Sequence, residues 1–289
     1  MKQTVGIAGL GLIGGSMARA IKAKTGSRVL GFDINSEVMS QAKGQGAIDG
    51  ELTEAAFAEC CLIIIALYPD ETISYFEGSL PHIRGGTIVV DCCGVKTRIC
   101  EALSGPAKER SIRFVGGHPM AGVERSGFSN SFAGLFSGAT MILCEDGYTD
   151  HAALKELHSF FLSIGFGNIK ITTAMEHDEI IAYTSQLAHI VSSAYIKSDT
   201  MKKRYGFSAG SFKDLTRVAR LNEDMWAKLF FENSENLLKE ADAFLDHVRC
   251  YRDAIASRDY DAMKGLLRSG TERKMADDAE EEKWLKQLR

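Results

Sequence analysis

Two patterns of hydrophobic residues follow one another along the chain. Up to about residue 172, short apolar runs alternate with amphipathic stretches, whereas beyond it only helical periodicity is found. Runs such as residues 61–67 are apolar at every position, which is typical of a parallel strand buried on both faces. The pattern predicts strands at residues 5–10, 28–33, 61–67, 87–93, 113–117, 139–144 and 168–171, with a helix over 150–164.

The second half of the chain predicts helices alone. Helical periodicity covers residues 174–198, resumes near 212 and continues over 224–249 and 253–267. Apolar stripes on the last two stretches are interpreted as core and subunit interface. The sequence therefore predicts an α/β plus all-α protein. We expect an N-terminal Rossmann-type doubly wound sheet that binds NAD over residues 1–172, and a C-terminal helical substrate-binding and dimerisation domain over 173–289.

Composition mainly argues against certain classes of partner and site. The net charge of the 289 residues is −4 and no basic run stands out, which argues against nucleic acid or an anionic membrane as a partner. The longest apolar run, residues 61–68, is far too short to span a bilayer. The seven cysteines show no metal-ligand spacing, and the adjacent pairs in predicted strands behave as small hydrophobic residues. We expect a reduced, cytoplasmic protein without a metal site.

A glycine-rich loop, residues 9–16, follows the first predicted strand and opens a helix. In its GxGxxG spacing, Gly9 permits a tight turn, Gly11 lets the backbone approach a pyrophosphate, and Gly14 lets helix and strand pack closely. The helix N-terminus offers free N–H groups to the phosphates. Asp33, at the end of the second strand, can accept hydrogen bonds from a ribose, and its charge favours NAD over NADP. The alternative is a glycine turn that only packs tightly.

Three further strand ends are expected to join this loop. In open parallel sheets, ligands bind beyond the carboxyl ends of the strands. Leu67, Gly94 and His118 each follow or end a predicted strand, so we expect them to line one crevice. The residues predicted to contact NAD are Gly9, Leu10, Gly11, Leu12, Ile13, Gly14, Asp33, Leu67, Tyr68, Pro69 and Gly94.

His118 is the candidate catalytic residue at this crevice. Pro119 fixes the backbone just after it, and Gly116, Gly117 and Gly122 are expected to leave space for a ligand. A histidine held beside a nicotinamide can take the hydroxyl proton of an alcohol while the hydride departs. The alternative is a histidine that caps the strand by bonding to the backbone.

A polar cluster interrupts the first long helix of the second half. Ser185, Gln186 and His189 lie within one helical turn of one another and are predicted to share a face. The cluster either faces a ligand or consists of satisfied core residues.

A cationic stripe is predicted on the helix that begins near residue 212. Lys213, Arg217 and Arg220 follow the spacing i, i+4, i+7, which places like charges on one helix face. Either solvent screens these charges or an anion compensates them. Arg217 is the preferred anion contact, because a guanidinium can hold a carboxylate through two parallel hydrogen bonds.

Four segments together resemble a known family. They are the glycine loop at 9–16, the Gly-Gly-His-Pro-Met-Ala-Gly-Val-Glu-Arg-Ser-Gly segment at 116–127, Glu-His-Asp at 176–178 and Phe-Lys-Asp-Leu-Thr-Arg at 212–217. The chain resembles the prephenate/arogenate dehydrogenases of tyrosine biosynthesis over nearly its whole length. The resemblance implies a Rossmann domain followed by a helical domain that forms a homodimer. It also implies NAD-dependent oxidative decarboxylation of a cyclohexadienol that carries a ring carboxylate.

The resemblance also implies roles for single residues. His118 would accept the substrate hydroxyl proton, and Arg217 would bind a substrate carboxylate with Lys213 one turn away. Glu124 would pair with that arginine near the pocket mouth, and His189 would line the active site. The full set of implied substrate contacts is Arg217, Lys213, His189, Gln186, Glu124, Ser126 and Gly94.

Two positions depart from the family pattern. Many members have a serine where this chain has Gly94, and many have a histidine where it has Gln186. His118 is therefore expected to lack a hydroxyl neighbour and to be more isolated than in many relatives. The core chemistry is expected to stay intact, with an effect on substrate preference.

Three alternatives remain open from the sequence. The nearest is arogenate as the substrate, which has an amine in place of the side-chain ketone. The second is a two-domain dehydrogenase of the imine or β-hydroxyacid type, but those place a lysine or aspartate in the helical half as the catalytic group. The third is a non-catalytic NAD sensor, which would need the glycine loop but not His118 and Arg217 together.

Overall fold

The structure is a computed structural model that describes residues 3–123 and 125–287. The chain divides into two compact units, Met1–Asn233 and Ser234–Arg289. The first unit contains a mixed β-sheet with helices on both faces and a group of further helices after its last strand. The second unit consists of two long helices.

The sheet has eight strands in the order β3-β2-β1-β4-β5-β6-β7-β8. The first six in this order are parallel, β7 runs antiparallel to β6, and β8 is parallel to β7. The doubly wound arrangement predicted from the sequence is confirmed, with β3 as a two-residue addition that the hydrophobic pattern did not predict. The strands are β1 (Thr4–Ala8), β2 (Arg28–Phe32), β3 (Gly50–Glu51), β4 (Leu62–Ile65), β5 (Ile88–Asp91), β6 (Arg113–Pro119), β7 (Thr140–Glu145) and β8 (Asn168–Thr173).

Helices cover both faces of the sheet, which explains why the central strand β4 is apolar at every position. Within β4, Ile64 belongs to one buried cluster and its neighbours Ile63 and Ile65 to the other. The first cluster includes apolar residues of α1 and α5, and the second includes those of α3 and α4. The helices of this unit are α1 (Leu12–Lys24), α2 (Ser36–Gly44), α3 (Pro69–Ser79), α4 (Thr97–Glu109), α5 (His151–Ser163), α6 (Ala174–Ile181), α7 (Ala188–Tyr195), α8 (Gly210–Thr216) and α9 (Glu223–Glu232).

The predicted helix over 174–198 is found with an irregular centre. Thr173 caps α6 by accepting a 3.2 Å hydrogen bond from the backbone N–H of Glu176. Between α6 and α7 the chain follows a π-helix over Ala182–Leu187. Short π-helical segments occur frequently at functional sites, because they rotate the side chains that follow relative to those before.

Two predictions about the later helices are wrong. Helix α8 ends at Thr216, so Lys213, Arg217 and Arg220 do not form a stripe on one helix. The helix predicted over 224–249 is broken at Asn233, whose side-chain nitrogen donates 2.8 Å hydrogen bonds to the backbone carbonyl of Asp178 and to Oε1 of Gln186. These long-range hydrogen bonds interrupt the helix at Asn233. A local periodic pattern cannot predict them, because their partners are distant in the sequence.

The second unit contains α10 (Ser234–Ser257) and α11 (Tyr260–Gln287). The predicted segment 253–267 is therefore divided between them, and Tyr251 on α10 donates a 3.3 Å hydrogen bond to the carbonyl of Leu266 on α11. Leu238, Leu245 and Ile255 on α10 are exposed. Across both units, the described helices include none with the length and apolar character needed to cross a bilayer.

Candidate active site

The glycine loop after β1 has the packing that its spacing predicts. Gly9 has a φ of 83°, a conformation that favours glycine. A Cβ atom at Gly9 would lie 2.4 Å from the carbonyl oxygen of Ala66, and one at Gly14 would lie 1.8 Å from that of Gly9. A Cβ at Gly11 would meet no described atom within 4 Å. The loop is thus tightly packed at Gly9 and Gly14 and open at Gly11.

Asp33 is fixed beside this loop at the end of β2. Its Oδ2 atom accepts a 2.9 Å hydrogen bond from the backbone N–H of Leu10, and its Oδ1 atom accepts one from Asn35. A cavity of about 820 Å³ adjoins this carboxylate. Its lining also includes Ile34, Lys43 and residues of β3 and α3.

The loop after β4 contacts both the glycine loop and the loop after β5. The carbonyl of Leu67 accepts hydrogen bonds from Thr72 Oγ1 at 3.2 Å and from Cys93 Sγ at 3.5 Å. Leu67 Cδ2 would lie 2.7 Å from a Cβ at Gly9. Next along the chain, Tyr68 is half exposed and Pro69 begins α3. The ends of β1, β4 and β5 are thus close together, as predicted.

A buried ion pair holds the turn after β5 against the strand that carries His118. The Lys96 ammonium is fully buried, pairs with Asp91 and donates a 2.6 Å hydrogen bond to the carbonyl of Gly117. Asp91 in turn accepts a 3.0 Å hydrogen bond from the backbone N–H of Gly117 and one of 2.8 Å from that of Cys93. Burial alone would lower the pKa of Lys96, but the neighbouring Asp91 carboxylate holds it above its usual value.

Sequence reasoning gave Lys96 and Asp91 no role. A usable signal was present, because an acidic and a basic residue stand at the two ends of one short turn at a strand end. The pair fixes the backbone immediately before His118.

His118 has an imidazole partner that the sequence analysis missed. Its Nδ1 atom lies 2.9 Å from Nε2 of His177, and Nδ1 of His177 lies 2.7 Å from Oδ1 of Asp178. The two imidazole rings meet edge to face. Gly94 offers His118 no hydroxyl, but His177 is a close polar partner, and the expectation that His118 is more isolated than in many relatives stays a prediction. The Glu-His-Asp segment that opens α6 was the available signal, although local spacing does not pair it with a strand end 59 residues away.

Both imidazoles are held in the neutral form. Burial lowers the pKa of His118 well below its usual value, and the nearby His177 and Lys96 lower it further, while Asp178 acts in the opposite direction. Burial also lowers the pKa of His177, against the effect of its hydrogen bond to Asp178. A neutral histidine can accept a proton at neutral pH.

The glycines around His118 differ in how much space surrounds the position of a Cβ atom. A Cβ at Gly94 would lie 3.9 Å from Nε2 of His118 and 3.6 Å from a methyl carbon of Leu229, which are ordinary contacts. A Cβ at Gly116 would lie 2.7 Å from Cys100 Sγ, and one at Gly117 would lie 2.4 Å from the Asp91 carbonyl oxygen. The prediction that these two glycines leave room for a ligand is therefore wrong, because protein atoms fill that space. At Gly122, in contrast, no described atom lies within 4 Å of the Cβ position.

The cluster on the π-helix and α7 separates into two environments. Gln186 is buried, and its Nε2 atom donates a 3.0 Å hydrogen bond to the carbonyl of Leu229 while its Oε1 atom accepts from Asn233. His189 is half-buried, bonds to the carbonyl of Ser185 at 2.8 Å and stacks on Trp226 with ring centroids 4.0 Å apart. Gln186 thus ties the π-helix to α9 and Asn233, and its contact with a substrate stays a prediction.

Three of the predicted substrate contacts are exposed residues. Lys213, Arg217 and Ser126 are all exposed, and among the described residues none forms an ion pair with Arg217. No hydrogen bond joins Arg217 to His118 or His189 in the described part of the chain. Glu124, the predicted partner of Arg217, lies outside the described residues.

Comparison with protein families and curated proteins identifies relatives over most of the chain. Residues 17–169 match the family model "Prephenate dehydrogenase, nucleotide-binding domain", and residues 173–269 match "Prephenate dehydrogenase, dimerization domain". A prephenate dehydrogenase of Lactococcus lactis is 32% identical over 91% of this chain and 74% of its own. A cyclohexadienyl dehydrogenase of Zymomonas mobilis is also 32% identical, over 89% of this chain and 90% of its own.

Solved structures show the same architecture. Prephenate dehydrogenase from Aquifex aeolicus, crystallised with hydroxyphenyl propionate and NAD+, gives a TM-score of 0.84 at 26% identity and covers 96% of this chain and 98% of its own. Arogenate dehydrogenase from Synechocystis gives 0.80 at 26% identity, over 95% and 99% of the two chains. With both family models matched in sequence order, the chain belongs to the prephenate dehydrogenase family.

Proposed function

We propose that this chain catalyses the NAD-dependent oxidative decarboxylation of prephenate to 4-hydroxyphenylpyruvate, a step of tyrosine biosynthesis. The observation that carries the proposal is the position of the His118 imidazole at the end of β6. Its Nε2 edge faces the Gly94 turn, on the same edge of the sheet as the glycine loop. A proton acceptor at this place suits an alcohol that loses hydride to a nicotinamide.

The residues at the sheet edge fit NAD. The open Gly11 position leaves room for a pyrophosphate, and the N-terminus of α1 directs backbone N–H groups and a positive dipole end towards it. Asp33 and the adjoining cavity suit an adenosine, and a 2′-phosphate there would meet like charge. When bound, NAD+ supplies the hydride acceptor. The predicted contacts of residues 9–14 and of the loop at Leu67, Tyr68 and Pro69 belong to this proposal.

His118 takes the substrate hydroxyl proton in the proposed reaction. The hydroxyl O–H bond breaks, an Nε2–H bond forms, and the oxygen develops carbonyl character as the hydride leaves the carbinol carbon. The ring carboxylate then departs as CO2, and the electron pair of the broken C–C bond makes the ring aromatic. The product oxygen regains a proton as a phenol. This sequence needs a base that is neutral at the start, as the lowered pKa of His118 provides.

Arg217 is proposed to bind a substrate carboxylate. It is exposed and, among the described residues, without an ionic partner, so its guanidinium can form two parallel hydrogen bonds with an arriving anion. Lys213, one turn earlier, adds positive charge. His189, Gln186, Ser126, Gly94 and Glu124 complete the proposed substrate side.

Arogenate is the second candidate substrate, favoured by the structural similarity to an arogenate dehydrogenase. The decisive assay mixes purified protein with prephenate or arogenate and with NAD or NADP, and follows the reduced cofactor by absorbance. We expect reduction with prephenate and NAD, together with 4-hydroxyphenylpyruvate and CO2. Faster turnover of arogenate would make arogenate the assigned substrate. The absence of cofactor reduction with both substrates would overturn the proposal.

We also propose a cytoplasmic homodimer with a functional domain boundary near residue 172, between the two family matches. The match of residues 173–269 to a dimerisation model and the exposed apolar side chains on α10 support the dimer. Light scattering of the purified chain should give twice its mass of 31.6 kDa, and the mass of a single chain would contradict the dimer.

A further inference from the structure

A second imidazole and a carboxylate stand behind His118 on the side away from Gly94. Neither has a role in the function proposed above. Nδ1 of His118 lies 2.9 Å from Nε2 of His177, and Nδ1 of His177 lies 2.7 Å from Oδ1 of Asp178. His177 and Asp178 are buried, so water does not compete for these bonds.

The position of Asp178 determines which atoms carry hydrogen. Its two oxygens accept 2.8 Å hydrogen bonds from the backbone N–H groups of Lys96 and Thr97, at the start of α4. Two N–H donors and a helix N-terminus favour the ionised form, and its pKa is lowered although burial alone would raise it. A carboxylate only accepts hydrogen bonds, so Nδ1 of His177 must donate to it.

The remaining hydrogens then follow in sequence. A neutral imidazole has one donor and one acceptor nitrogen, so Nε2 of His177 is an acceptor. The facing Nδ1 atom of His118 must therefore carry a hydrogen. This leaves the lone pair of His118 on Nε2, which is the nitrogen that faces Gly94.

We propose that His177, supported by Asp178, is a positioning residue that fixes His118 in the Nδ1–H tautomer and stabilises the imidazolium formed when Nε2 accepts a proton. The first part follows from the hydrogen-bond chain with His177 neutral, and the second rests on the proposed function. In the other tautomer, Nε2 would carry a hydrogen and could not take the substrate proton.

The turn between β5 and α4 also contributes to the charges near the two rings. The Lys96 ammonium disfavours a proton on either imidazole, but it is paired with Asp91. The Asp178 carboxylate favours protonation of both rings. When His118 gains its proton, the hydrogen bond to His177 becomes charge-assisted and therefore stronger. Asp178 then stabilises the pair from behind, much as a carboxylate supports a histidine in other proton-transfer sites.

Ring-nitrogen NMR of the full chain labelled with 15N tests the tautomer without any substrate. The His118 signals are assigned by their loss in His118→Asn. At neutral pH we expect a protonated Nδ1 and an unprotonated Nε2. A protonated Nε2, or an equal mixture of the two tautomers, in the unaltered protein would overturn the proposal. The expected tautomer in a protein inactive on both substrates would leave the tautomer assignment standing and remove the proposed function.

Two variants of His177 separate positioning from a structural role. His177→Leu removes the acceptor, so His118 should show mixed tautomers and turnover should fall at least about tenfold. His177→Gln can place a carbonyl oxygen near the old Nε2 position, so it should restore the tautomer and part of the turnover. The control is His158→Leu on the exposed side of α5, which should change neither. An unchanged His118 tautomer in folded His177→Leu would contradict the proposal, and if that variant does not fold, the unaltered protein and His177→Gln decide.

Discussion

The ammonium group of Lys96 donates a 2.6 Å hydrogen bond to the carbonyl oxygen of Gly117, the residue before His118. The same ammonium pairs with Asp91, and both side chains are fully buried. The orientation of the candidate base is therefore coupled to an interior ion pair. Such pairs contribute little net stability when intact, but they are costly to break from one side.

We predict that Lys96→Met strongly destabilises the protein. The substitution leaves the Asp91 carboxylate buried without its cation, and the free energy of unfolding should fall by about 3–5 kcal/mol. Chemical denaturation measures the change. Lys22→Met is the matched control, because Lys22 pairs with Asp49 near the surface, and the control should lose less than about 1 kcal/mol. Equal losses in the two variants would contradict the structural role of the buried pair.

Gly94→Ser should leave the fold intact but change the environment of His118. A Cβ there meets only ordinary contacts, so stability should stay within about 0.5 kcal/mol. The new hydroxyl can donate to Nε2 of His118 and compete with the substrate, so the acid limb of the kcat/KM profile should move to lower pH. Gly117→Ser is the contrasting variant, since its Cβ would lie 2.4 Å from the Asp91 carbonyl and should destabilise the chain. An unaltered pH profile in Gly94→Ser would show that Nε2 does not face this position.

Arg217→Ala should mainly weaken substrate binding. Loss of charged hydrogen bonds that water partly replaces costs roughly 1.5–3 kcal/mol of prephenate affinity. Equilibrium binding of prephenate to the complex with NADH, which cannot accept hydride, measures this. Arg220→Ala is the control, because Arg220 is a nearby exposed arginine that does not continue α8. A purely kinetic defect with unaltered affinity, or an equal loss in both variants, would argue against the assignment.

Stability should fall as the solution becomes acidic. The pKa values of His118 and His177 are lowered in the folded protein, whereas in the unfolded chain histidine titrates near about 6.5. Below that pH the unfolded state binds more protons than the folded state. The stabilisation that comes from these two histidines is therefore fully present above about pH 6.5, and it is lost as the pH falls towards their folded-state pKa values. Thermal unfolding between about pH 5 and 8 measures the slope, which should be smaller in His177→Gln. Greater stability on acidification through this range would contradict the neutral assignment.

Much of the first unit could be predicted because its information is local. Continuous apolar runs identify strands buried on both faces, and the glycine loop with Asp33 follows a spacing whose packing reasons are found at Gly9 and Gly14. Strand β3 was missed because two residues carry no periodic pattern; its pairing of Gly50 with Leu30 is a tertiary contact.

The parts of the site that could not be predicted depend on contacts between residues far apart in the sequence. His177 meets His118 across 59 residues, and Asn233 breaks the predicted helix through bonds to Asp178 and Gln186. A sequence pattern can nominate such residues as a motif, as it did for the segment 176–178. It does not indicate which strand end they reach.

The most direct test of the account is the turnover of His118→Asn with prephenate and NAD, measured beside NAD binding to the same protein. Asparagine keeps a polar side chain of smaller size but cannot accept a proton as a base. We predict that turnover falls by roughly a hundredfold or more while the dissociation constant for NAD is unchanged. Turnover equal to that of the unaltered protein would remove His118 from the mechanism and contradict the central claim.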